Sequence, residues 1–88
     1  MSNSSLKDIR KLISDYHEYE GDKQTSVIKR IPHPDGGEMY LVHFIDAKGV
    51  KYSSLDMLRT GPDGDYITEF DACPRQDENS MIGRYLGL

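Results

Sequence analysis

The segment 38–45, reading Glu-Met-Tyr-Leu-Val-His-Phe-Ile, constrains this chain more than any other. Drawn as a strand, it points Met39, Leu41, His43 and Ile45 to one side and Tyr40, Val42 and Phe44 to the other. Both sides are apolar, so the strand belongs in the middle of a sheet with material over each face. Asp46-Ala47-Lys48-Gly49 follows as a tight turn, its glycine suited to a positive φ. Residues 50–53 then return antiparallel, and this 38–53 hairpin centres the expected fold.

Something must cover the two faces. Leu6, Ile9, Leu12, Ile13 and Tyr16 recur at helical spacing over residues 5–19, with Ser5 as cap and Gly21 as stop. A helix this short is marginal alone and needs a sheet to receive its stripe. Residues 25–31 are β-prone and end at Pro32, and 66–70 alternate as a further strand. Ser53 or Ser54 is expected to cap a short helical turn over 54–59, and Met81, Ile82, Tyr85 and Leu86 form a second over 80–86. The predicted class is α+β: an N-terminal helix on a small twisted antiparallel sheet of three or four strands, open or bent toward a small barrel. If the C-terminal turn does not cover the second face of the central strand, that face is a surface for a partner or a second copy.

Eighty-eight residues form one expected domain, 1–88, with 1–4 and about 71–80 irregular. The lone cysteine, Cys73, excludes an internal disulfide framework and favours a reducing compartment. No apolar run approaches the roughly 20 residues of a membrane span, and no leader is evident, so a cytoplasmic location is expected. The net charge of −4 is uneven. Residues 1–31 carry six Lys/Arg against five Asp/Glu, and 32–88 carry five against ten. That balance disfavours nucleic acid, whose phosphates need basic groups, and permits a basic protein partner.

Catalytic and metal sites are not expected, nor is a cofactor. His17, His33 and His43 are isolated on a helix, a proline loop and a strand, without the close pairing of zinc ligands. Cys73 precedes Pro74 with no local activation signal. Asp63-Gly64-Asp65 lacks the later ligands of a calcium loop, since its fifth position is Ile67. The glycine pairs have neither the lysine nor the following helix of a phosphate cradle.

Two surfaces remain as candidates. Asp63, Asp65, Glu69 and Asp71, with Tyr40 and Phe44 of the hairpin, form an acidic and aromatic set for a basic partner. Lys29, Arg30, Lys48, Lys51 and Tyr52 form the alternative, a stacking and basic set for single-stranded nucleic acid. The leading expectation is a small acidic protein-binding module, an adaptor, regulator or inhibitor. Small acidic domains of this type occur among inhibitors encoded by phages and mobile elements, and no residue or motif of this chain identifies one. The alternatives are a nucleic-acid-binding hairpin and a homodimeric structural subunit.

Overall fold

The computed structural model describes residues 6–33 and 36–86. The expected Ser5 cap, the irregular 1–4 segment and the middle of the Pro34-Asp35 loop lie outside that range. Helix α1 spans Leu6–Tyr19, and four strands follow: β1 Lys23–Pro32, β2 Glu38–Ile45, β3 Lys51–Gly61 and β4 Gly64–Pro74. A 3-10 turn, Arg75–Asp77, leads into helix α2, Glu78–Leu86. The strands pair in chain order, each antiparallel to the next, in an open four-stranded sheet with β1 and β4 at its edges. It does not close into a barrel. Among the described residues no helix is long and apolar enough to cross a membrane.

The two-faced strand explains why there are two helices. Tyr40 and Val42 of β2 join Ile67 of β4 and the Ile9 and Ile13 stripe of α1 in one apolar cluster. Met39 and Leu41 point the other way and join Ile31, Leu55, Met57, Met81 and Ile82 in a second. Helix α2 is therefore the cover for the second face, and the sheet lies between two short helices. At roughly 25 cal/mol per Å² of apolar surface removed from water, neither helix would hold its shape without that contact.

The helical turn expected over 54–59 is a strand. Ser53 to Leu58 lies within β3, with Leu55 opposite Leu41 and Met57 opposite Met39. The local sequence, Leu-Asp-Met-Leu-Arg, suits a helix. Period-two burial of Leu55 and Met57 against β2 overrides that preference. Ser53 and Ser54, read as helix caps, are buried ladder residues facing His43 and Val42. Residues 71–80, expected to be irregular, complete β4, form the 3-10 turn and begin α2.

Two features of the backbone steer carboxylates into place. Gly21, at φ +91°, ends α1 with two hydrogen bonds: its N–H donates to the Glu18 carbonyl at 3.0 Å, and the Asp22 N–H donates to the His17 carbonyl at 2.8 Å. This paired closure folds the chain back so that Asp22 lies beside His17. In β4, a register shift makes Asp71 the partner of Leu55 and Glu69 the partner of Asp56, leaving Phe70 as an extra residue. Glu69 is thereby directed to the α1 side, whereas Asp71 meets Tyr85 and Arg84 of α2.

Candidate functional site

His17 sits one helical turn beyond Ile13 on the buried stripe of α1 and is entirely out of water. Its Nδ1 donates to Asp22 Oδ2 at 2.8 Å and its Nε2 to Asp56 Oδ2 at 2.6 Å. Both acceptors are carboxylates, so both ring nitrogens carry protons and the ring is an imidazolium. Burial opposes that charge. The hydrogen bond and charge of Asp56, then those of Asp22, outweigh it and raise the His17 pKa above the usual histidine value. Phe44 lies over the ring with centroids 4.5 Å apart, and Tyr16 meets it edge-on at 5.3 Å. Asp56 is as buried as its partner, and its Oδ1 has no hydrogen-bond partner among the described residues.

Around this pair lies a recess of about 260 Å³ lined by Tyr16, Phe44, Tyr52, Ala72 and four carboxylates, Glu20, Asp22, Asp46 and Glu69. Phe44 and Tyr52 are cross-strand partners with stacked rings, 5.7 Å between centroids and 17° between planes. Asp46 is fixed by the β2–β3 turn, its Oδ1 accepting from the N–H groups of Lys48 and Val50. The carboxylates feel one another. Partial burial, then the negative charges of Asp56, Asp22 and Glu20, push the Glu69 carboxyl above its usual range, with His17 opposing. Burial followed by Glu69, Glu20 and Asp56 raises the Tyr16 phenol in the same way. Among the described residues no lysine or arginine lines the recess.

A second polar group lies on the α2 side. Glu78 Oε1 accepts from His43 Nε2 at 2.5 Å and from the buried Ser53 hydroxyl at 2.7 Å. Burial opposes the Glu78 charge, but those two hydrogen bonds and the charges of His43 and Arg75 lower its pKa. Serine, histidine and glutamate invite comparison with a hydrolytic triad. The geometry is wrong for one, because serine and histidine both spend their protons on the same carboxylate oxygen and Ser53 is sealed from solvent. The group anchors the start of α2. Cys73, opposite Ser53, is half-buried, and burial with the charges of Asp77 and Asp71 raises its thiol pKa, which keeps it protonated. Among the described residues no three or more His, Cys, Asp or Glu side chains are placed to hold a metal ion together.

The residues proposed from sequence are distributed unequally. Of the acidic and aromatic set, Glu69 and Phe44 meet in the recess. Asp65 is at the far end of β4, accepting from Thr60 at 2.9 Å, and Asp63 is in the neighbouring exposed turn. Asp71 faces α2, and Tyr40 is buried under α1, its hydroxyl directed to Glu38. Of the basic set, Tyr52 lines the recess, and Lys29, Arg30, Lys48 and Lys51 are not among its described lining residues. Lys29 and Arg30 are on β1, Lys48 is in the β2–β3 turn and Lys51 begins β3.

His17, expected to be an isolated helix histidine, meets Asp22 and Asp56, which no motif in the sequence marks. One signal was available: His17 continues the Ile9 and Ile13 spacing, and a histidine on a buried stripe needs partners for both nitrogens. Comparison with protein-family models, curated protein sequences and solved structures gives no match to this chain.

Proposed function

We propose that the protein is a small non-catalytic binding module of the cytoplasm, an adaptor, regulator or inhibitor, and that its recess receives a lysine or arginine side chain of a protein partner. The observation carrying this reading is the lining, with three aromatic rings and four carboxylates converging: Asp22 is paired with the buried His17, and the other three have no lysine or arginine beside them among the described lining residues. A cation over a tyrosine or phenylalanine face gains about 0.5–2 kcal/mol. Neighbouring carboxylates add charge-assisted hydrogen bonds. A volume of about 260 Å³ suits one side chain and falls below the roughly 300–1,000 Å³ of ordinary small-molecule pockets. The buried imidazolium beneath stiffens Phe44 and Tyr16, so little order has to be imposed on binding.

The test is a titration of the isotope-labelled protein with an arginine-rich peptide, followed by NMR. The expected result is saturable movement of amide signals near residues 16–22, 44–52 and 69–72. Binding should weaken as salt rises from about 50 to about 300 mM. Glu20→Lys with Glu69→Lys should weaken it at least tenfold. Unchanged affinity in that double variant, or no saturable binding at low salt, overturns the reading.

A further inference from the structure

The opposite face carries a groove of contrary sign. It runs between edge strand β1 and helix α2, about 750 Å³ in volume, with exposed Leu86 and the edges of the core residues Ile31 and Ile82 as its apolar part and Lys29 and Arg84 as its charged part. Among the described residues lining it none is a carboxylate, on a chain whose net charge is −4. Arg84 touches Asp71 at 3.3 Å, but its side chain remains 58% exposed and Asp71 is already engaged by the Tyr85 hydroxyl at 2.6 Å. The guanidinium is therefore able to turn to another acceptor. Gly83 contributes no side chain to the helix wall.

Strand β1 pairs in the sheet with β2 alone. Along its outer edge, alternate residues direct N–H and C=O groups away from the sheet. Its irregular pairing lies before Lys29; from Lys29 to Pro32 the register with β2 is continuous. The regular stretch is thus the one that borders the groove. An extended chain laid there would gain main-chain hydrogen bonds from the outward groups of Lys29 to Ile31, with Pro32 offering only its carbonyl. Every second side chain would enter the groove, as in other cases of peptide recognition by strand addition.

We propose that this groove binds an acidic, extended peptide segment of a partner protein, added as a fifth strand beside Lys29–Pro32. Aliphatic side chains of the peptide rest on Ile31, Ile82 and Leu86, and its carboxylates meet Lys29 and Arg84. The surface is separate from the acidic recess and would engage a second partner, of opposite charge. A module with both surfaces would hold a basic and an acidic partner together.

The probe is a synthetic peptide of about ten residues repeating Asp-Asp-Val-Val, so that each face of the strand carries both side chains, a typical strand length with some excess. Titrated into the full chain at low salt, it should move amide signals at residues 28–32 and 79–86 with a Kd on the order of 100 μM or tighter. The same peptide N-methylated at alternate amides keeps its charge but loses main-chain donors, and should bind at least tenfold more weakly. Lys29→Glu with Arg84→Glu, both surface changes, should have a similar effect. Equal binding of the methylated peptide overturns strand addition, and equal binding to the double variant overturns the charge match. A lysine and valine peptide binding as well, or a single-stranded oligonucleotide competing for the same signals at equal affinity, overturns the assignment of an acidic peptide.

Discussion

His17 on α1 and Asp56 on β3, thirty-nine positions apart, meet at 2.6 Å with both side chains fully removed from water. Their contact ties the helix to the middle of the sheet through charge, in a place where apolar packing would ordinarily serve. A buried pair is costly to break, because the surviving partner keeps its charge without compensation. His17→Leu leaves Asp56 with neither oxygen partnered and should cost about 3–5 kcal/mol. Asp56→Leu alone should cost a comparable amount. The double variant His17→Leu with Asp56→Leu should recover most of the loss, since apolar replacement of a buried pair is often neutral or stabilising. Urea denaturation of all four proteins checks this through the coupling energy. Additive losses in the double variant would show that the pair is not an energetic unit.

The charge of His17 also sets a pH dependence. Its folded pKa lies above its value in the unfolded chain, about 6.5. The stabilisation is therefore complete below that value and is lost as pH rises through the folded one. Asp22 and Asp56 contact the ring directly, and Glu69 acts from further off. The difference in stability between wild type and His17→Gln should shrink as pH rises from about 6 to about 9. Denaturation midpoints over that range measure it. A constant difference would mean that the ring is neutral throughout.

Glu69 has the opposite sign. Its folded pKa is raised, so the folded state holds this proton more tightly than the unfolded chain does. Ionising it at neutral pH therefore weakens the fold. Glu69→Gln should stabilise the protein at pH 7, and the gain should vanish near pH 4, where the wild-type carboxyl is protonated. The same substitution should weaken binding of an arginine-rich peptide to the recess. Thermal melting at the two pH values, paired with that titration, checks both halves. A stability at pH 7 no higher than wild type would contradict the electrostatic account of the recess.

What the sequence made legible was local or periodic. Gly21 announced the end of α1, Gly49 the turn, and the alternation at Met39 to Ile45 the central strand with its two faces. The C-terminal cover was readable as a demand of that strand, and α2 meets it. The segment 54–59 misled because helix preference and a pair of serines are local signals, whereas its strand state is decided by Leu41 and Met39. The site was mostly illegible for the same reason. Phe44 and Glu69 were singled out as acidic and aromatic candidates. Nothing within ten residues of His17 reveals that Asp56 will be its partner, because that meeting depends on the register of β3 against β2 and the packing of α1 across them.

Helix α2 has only two buried residues, Met81 and Ile82, and it is anchored at its start by Glu78. Removing either support should loosen the whole cover of the Met39 and Leu41 face. Met81→Ala deletes a fully buried side chain and should cost about 2–5 kcal/mol. Glu78→Gln keeps the shape but replaces two charge-assisted hydrogen bonds with weaker ones, a loss of about 1–3 kcal/mol at neutral pH. Its pKa is lowered in the folded state, so this contribution is present above the unfolded value of about 4.3 and disappears as pH falls through the folded one. Acid denaturation should therefore begin at higher pH in wild type than a chain without ionised anchors would show, and Glu78→Gln should flatten that limb. Hydrogen exchange at pH 7 separates the two supports from global unfolding: in Glu78→Gln, amides of α2 should exchange faster while those of β2 beneath α1 keep their protection. Uniform acceleration across β2 and α2 would mean that α2 has no independent opening, and that the anchor stabilises the sheet itself.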